Sequence, residues 1–145
     1  MSLAAALAMS NVAGAADLWA KKSPATGGPE LLSAEAAFQL ASVRREGQDI
    51  KVDWVIAPGY YLYRKRLAFE IVAPKSAQLG AAALPHGATV HDEHFGDVEV
   101  YRETLQARLP VNGPAPTQLR IRYQGCADAG VCYPPVTRVI DIGTP

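Results

Sequence analysis

Ile50-Lys51-Val52-Asp53-Trp54-Val55-Ile56 decides the fold class. Its apolar residues Ile50, Val52, Trp54 and Ile56 recur at every second position, with Lys51 and Asp53 between them. This is the period of a strand with one buried face, not of a helix. Working outward, the same alternation returns in Phe38-Gln39-Leu40-Ala41, in Ala68 to Val72, in Leu105-Gln106-Ala107-Arg108-Leu109, in Leu119-Arg120-Ile121-Arg122-Tyr123 and, more loosely, in Val136 to Ile142. Only Ser33 to Ala37 suggests a helical turn. Ala57-Pro58-Gly59, Ala73-Pro74-Lys75, Leu84-Pro85-His86-Gly87 and Val111-Asn112-Gly113-Pro114 separate these segments, each with a residue that restricts or frees φ. Seven or more short strands in about 110 residues predict an all-β, immunoglobulin-like β-sandwich in preference to a barrel. Trp54 reads as a core anchor without chemistry.

Composition agrees with a single globular domain. The 145 residues include 14 basic and 14 acidic side chains, so no net field attracts nucleic acid. The 49% apolar content supports a core, and no run of about 18 apolar residues spans a membrane. Residues 1–16 contain no charge and seven alanines, and Ala13-Gly14-Ala15 has the small-x-small form that signal peptidase accepts. They read as the remnant of a secretory signal, with Met1-Ser2-Leu3 a start added in cloning. Residues 17–30, with Lys21-Lys22-Ser23-Pro24 and Gly27-Gly28-Pro29, read as a flexible lead-in, and residues 31–145 as the folded domain.

An exported chain meets an oxidising compartment, which turns attention to Cys126 and Cys132, the two cysteines. Five intervening residues exclude a CxxC redox motif. A loop containing Asp128 and Gly130 between two strands can bring the Cα atoms within the roughly 4.4 to 6.8 Å that a disulfide spans. Closing so short a loop restricts the unfolded chain by about 2.4 kcal/mol, and it staples only neighbours. Spacing alone leaves both a structural and an electron-carrying bridge open.

Tyr123-Gln124-Gly125-Cys126-Ala127-Asp128-Ala129-Gly130-Val131-Cys132-Tyr133-Pro134-Pro135 closely resembles the active-site segment of the N-terminal periplasmic domain of the thiol:disulfide interchange protein DsbD. Gly59-Tyr60-Tyr61-Leu62-Tyr63-Arg64-Lys65 is similar to that family's tyrosine strand. Asp92-Glu93-His94-Phe95-Gly96, followed by Glu99-Val100-Tyr101-Arg102, is similar to its cap loop. The resemblance implies a periplasmic relay domain, the ectodomain of an inner-membrane protein. Such a domain accepts electrons from the C-terminal thioredoxin-like domain of the same protein. It reduces thioredoxin-fold clients, including a disulfide isomerase and a cytochrome c maturation protein. On matching positions, Cys132 forms mixed disulfides and Cys126 resolves them, with Tyr61, Tyr63, Asp128 and Tyr133 around the active site. Asp92, Glu93, His94, Phe95 and Gly96 form the cap. This chain departs from the pattern in placing His94 directly after the acidic pair and Phe95 one position later, and Phe95 is the favoured cover for its apolar face.

No cation neighbours either cysteine in sequence, whereas Asp92, Glu93 and Asp128 supply negative charge, so Cys132 is expected to be a weakly activated thiol. No cofactor or metal is called for. Two competing readings are a binding sandwich with a structural bridge and a metal carrier using Cys126, Cys132, His91 and His94. The second follows no zinc-ligand spacing.

Overall fold

The computed structural model describes residues 30–143. The expected signal remnant and all of the lead-in except Glu30 lie outside the described residues.

Every expected strand forms. Ser33 caps the short helix α1 (Ala34–Ala37) by accepting from the Ala36 amide. Strand β1 (Phe38–Glu46) then pairs with β2 (Asp49–Ile56), and β2 with β8 (Thr104–Asn112), which also carries the short β5 (Gln78–Leu79). A second sheet has the order β11 (Val136–Asp141), β9 (Gln118–Tyr123), β4 (Ala68–Ala73). All of these pairings are antiparallel.

The alternation in β2 is realised as written. Ile50, Val52, Trp54 and Ile56 are at most 2% exposed, whereas Val55 on the other face is 47% exposed. Each buried side chain of this kind contributes about 1.5–3 kcal/mol of transfer free energy. Trp54 lies edge-on to Phe69 of β4 and Tyr123 of β9, with ring centroids 6.2 and 5.9 Å away. Side chains of the two sheets therefore meet in one core, an immunoglobulin-like sandwich.

A third antiparallel sheet carries the order β10 (Gly125–Ala127), β3 (Tyr60–Tyr63), β7 (Gly96–Tyr101), β6 (Ala88–Asp92). Strand β3 has two apolar faces. Tyr60 and Leu62 join the main core, while Tyr63 belongs to a separate small cluster with Val100 and Cys126, against which Tyr61 packs. Period-two alternation in Tyr-Tyr-Leu-Tyr thus divides one strand between the sandwich and the cysteines.

Candidate functional site

Strand β10 brings Cys126 opposite Tyr61. Gly125 beside it permits this approach: a Cβ there would stand 2.3 Å from the Tyr61 carbonyl oxygen and 2.5 Å from the Phe38 ring. Beyond β10 the chain reverses through a turn in which the Gly130 amide donates to the Ala127 carbonyl, with Gly130 in the left-handed region at φ +88°. The returning segment sets Cys132 directly across from Cys126. Flanking hydrogen bonds run from Ala127 N to Val131 O and from Tyr133 N to Gly125 O, so the cysteines form a non-hydrogen-bonded antiparallel pair. Side chains approach closely in such pairs, which explains a Cα separation of 4.0 Å, tighter than the span expected from sequence. The two sulfurs are joined in a disulfide.

The sulfurs differ in access. Cys126 is 1% exposed, whereas Cys132 is half-buried and lines an open cleft of about 210 Å³ with Tyr61, Asp92, Glu93, His94, Arg102, Asp128 and Gly130. Tyr63 stands behind the bridge, its hydroxyl oxygen 3.0 Å from Cys126 Sγ and 3.8 Å from Cys132 Sγ.

Asp92 organises the surroundings. Buried at the end of β6, it accepts the Tyr61 hydroxyl at 2.8 Å and the Tyr63 hydroxyl through Oδ2, and the His94 and Phe95 amides at 2.7 and 3.0 Å through Oδ1. Burial pushes its carboxyl up, but these four hydrogen bonds outweigh burial and hold it down at about 2. Burial and the bond to Asp92 push the Tyr63 phenol up, so its single proton stays committed to the carboxylate. A folded-state value below the ordinary 3.8 means that ionised Asp92 stabilises the fold above pH 4 and loses that contribution as pH falls from 4 through 2. Asp92→Asn is expected to cost about 2 kcal/mol at pH 7 and to flatten this acid limb, as measured by urea unfolding at pH 7 and pH 3. Equal stability of the two proteins at pH 7 would refute the assignment.

The cap segment is the tip of the β6–β7 hairpin. Glu93, His94 and Phe95 form a three-residue turn, and Gly96 follows in the left-handed conformation at φ +72°. Phe95 is 44% exposed, and its ring stands edge-on to Tyr63 at 5.2 Å, one ring removed from the sulfurs. The Arg66 guanidinium lies 4.7 Å from the Phe95 ring centroid. His94 faces the cleft that Cys132 lines, and Glu93 is exposed.

Asp128 is engaged by a cation that the sequence reading quotes beside the cap loop without giving it a role. Arg102 grips it with two hydrogen bonds, 3.0 and 2.9 Å long, and lies 4.9 Å over the Tyr61 ring. The expectation of an uncompensated acidic surround is corrected accordingly: no cation adjoins the cysteines in sequence, but the residue that follows β7 brings one to the cleft. Tyr133 lies to the other side, where its ring meets Phe38 and Tyr60 and its hydroxyl donates to the Leu32 carbonyl. His91 is exposed and paired with Asp97, and among the described residues no group of three His, Cys, Asp or Glu side chains is arranged to hold a metal.

Comparison with known proteins agrees with this geometry. Residues 28–144 match the family model for the N-terminal region of the thiol:disulfide interchange protein DsbD. The chain is 45% identical over 117 residues to thiol:disulfide interchange protein DsbD 1 of Pseudomonas aeruginosa, covering 79% of this chain and 20% of that protein. It is 43% identical over 99 residues to DsbD of Yersinia pestis, covering 68% of this chain and 16% of that protein. It thus spans about one fifth or less of the length of these relatives. Among solved structures, the reduced DsbD N-terminal domain of Neisseria meningitidis superposes with a TM-score of 0.70 at 32% identity, covering 79% of this chain and 90% of that one. The complex of the DsbD and PilB N-terminal domains from the same organism contains a chain that matches with a TM-score of 0.68 at 32% identity, covering 80% of this chain and 90% of that one.

Proposed function

The chain belongs to the DsbD N-terminal family, and from that premise we propose that its Cys126–Cys132 bridge is a working redox centre which passes electrons between thioredoxin-fold proteins. One observation carries this reading: of two bonded sulfurs, Cys132 opens to a cleft while Cys126 is sealed behind Tyr63. A rivet needs no such asymmetry. Disulfide exchange does, because an incoming thiolate must approach one sulfur in line with the bond it breaks.

The reaction balances as two exchanges. A donor thiolate attacks Cys132 Sγ, the Cys126–Cys132 bond breaks, and Cys126 leaves and takes up a proton. The donor's second thiol then displaces Cys132, leaving a donor disulfide and a domain dithiol. In the forward half, the Cys132 thiolate attacks a client disulfide and Cys126 resolves the adduct, so two electrons leave with the client. Tyr63 directs an oxygen lone pair at Cys126, because its proton is held by Asp92. That environment suits a neutral thiol better than a thiolate and restrains premature resolution.

The donor in this reading is the C-terminal thioredoxin-like domain of the same membrane protein. The clients are periplasmic thioredoxin-fold proteins, the disulfide isomerase and a cytochrome c maturation protein among them. The solved complex with the PilB N-terminal domain supports protein partners for this fold. Among the described residues no helix is long and apolar enough to cross a membrane, which suits an ectodomain.

Mixing with a reduced thioredoxin-like domain tests the reading: the bridge should be reduced stoichiometrically, whereas a structural disulfide stays oxidised. The hairpin tip acts as the cap, Glu93 and His94 at the cleft that Cys132 lines and Phe95 through Tyr63, on whose ring it stands. Phe95→Ala is expected to raise the rate at which a small neutral thiol reagent modifies the reduced protein severalfold, followed by mass spectrometry. An unchanged rate would remove Phe95 from that role.

A further inference from the structure

Arg102 owes its place to two features of the backbone around it. Strand β7 alternates, with Val100 packed in the small cluster of Tyr63 and Cys126 and Tyr101 in the main core. Arg102, one step past the Leu62–Tyr101 pair, therefore returns to the cysteine face, where its guanidinium lies over Tyr61, the residue opposite Cys126. The chain then leaves this face at once. The Thr104 amide donates to the Arg102 carbonyl at 2.7 Å, closing a γ-turn with Glu103 at φ +63°, and the Glu103 carbonyl accepts the Ile56 amide at 2.7 Å. Among the described residues Glu103 is the one non-glycine at positive φ, a conformation that L-residues rarely adopt. Strain of this kind persists where the surrounding fold holds a side chain at a set place.

The partner of Arg102 belongs to the redox turn itself. Asp128 lies between the two cysteines, its amide donating to the Gly59 carbonyl at 2.8 Å and its carboxylate held by Arg102. Both side chains line the cleft that Cys132 lines. Asp92 stays ionised there, its oxygens taken by the Tyr61 and Tyr63 hydroxyls and two amides. Glu93 is exposed on the cap beside His94, and His91 is paired with Asp97. Of the described residues lining this cleft, Arg102 is the one with a permanent positive charge. Without it, Asp92, Glu93 and Asp128 would face a sulfur that must itself become negative, because the reactive form of a cysteine is the thiolate.

We propose that Arg102 is a positioning residue for exchange: by holding and neutralising Asp128 beside the cleft, it keeps the Cys132 thiolate populated at neutral pH. This rests on the exchange function proposed above and adds the group that sets the ionisation of the attacking sulfur. In the forward half the Cys132 thiol gives its proton to water and the thiolate bonds to one client sulfur. The client's S–S bond breaks, and its second sulfur leaves as a thiolate. When a donor's second thiol displaces Cys132, the same positive charge favours the departing thiolate.

The test reads the Cys132 thiolate directly. The reduced full chain is alkylated with iodoacetamide from about pH 6 to 10, and labelling at Cys132 is followed by peptide mass spectrometry. Arg102→Gln is expected to move the midpoint of the rate profile up by about half a pH unit. Asp128→Asn, which leaves the guanidinium uncompensated, should move it down by about as much. The double variant should return near the wild-type midpoint, and Arg102→Lys, which keeps the charge, should stay near it. Both shifts should shrink in about 0.5 M salt. At pH 7 reduced Arg102→Gln should reduce an oxidised thioredoxin-fold protein about twofold to threefold more slowly than the wild type, a deficit that closes towards about pH 9. Midpoints that move the same way in both single variants, or in neither, are what a merely structural ion pair gives and overturn the proposal. A deficit equally large at about pH 9 overturns it too. A wild-type protein that reduces no thioredoxin-fold protein, whatever the midpoints, overturns the exchange function instead.

Discussion

Cys126→Ser is expected to accumulate a mixed disulfide between Cys132 and an oxidised thioredoxin-fold protein, while Cys132→Ser accumulates none. In the first variant the accessible thiol remains but its resolving partner is gone, so the adduct persists. In the second the remaining thiol is Cys126, 1% exposed and screened by the Tyr63 hydroxyl at 3.0 Å, where no partner sulfur reaches it in line. The contrast should be at least a hundredfold in trapped product, read on a non-reducing gel and by intact mass. Trapping by Cys132→Ser instead would reverse the roles of the two cysteines, and trapping by neither would return the bridge to a structural part.

Gly125→Ala is expected to be the most damaging single-methyl change at the site. The added carbon has backbone, the Tyr61 carbonyl, at 2.3 Å and the buried Phe38 ring at 2.5 Å, so neither neighbour gives way cheaply. Strand β10 must shift off β3, which displaces Cys126 and opens the packing under it. Overpacking of this kind costs about 3 kcal/mol. Gly130→Ala, five residues on, meets no atom within 4 Å and bears only the penalty of its left-handed φ, about 1 kcal/mol. Chemical denaturation of the two variants should show this order. A Gly125→Ala protein as stable as the wild type would mean that β10 does not need this close approach.

The two glycines also mark the limit of what was legible in sequence. Gly130 advertises itself, since Asp-Ala-Gly between two alternating segments is turn chemistry that needs no tertiary partner. Gly125 does not, because its requirement comes from Phe38, 87 positions earlier, and from the strand laid beside it. Likewise the β6–β7 hairpin tip carries a readable signal in Asp92 and Gly96, an acceptor at the first turn position and a residue free to adopt positive φ. Read only as a loop, it hides the consequence that Asp92 is buried and binds both tyrosine hydroxyls. Arg66 and Arg102 carry no local signal for their roles. Long side chains reach several ångströms, and which ring or carboxylate they find depends on which strand lies alongside.

Sequence by itself determined that the chain is built of short half-buried strands, with a sandwich as the preferred packing, and that Tyr61 and Tyr63 share a face. Periodicity and turn residues act over a few positions, and burial of every second side chain follows from strand geometry alone. Only the tertiary structure decided which sulfur is reachable, what holds the cap, and that Arg102 offsets Asp128. Each of these depends on non-local pairing of β10 with β3 and of β3 with β7, which brings together groups tens of residues apart.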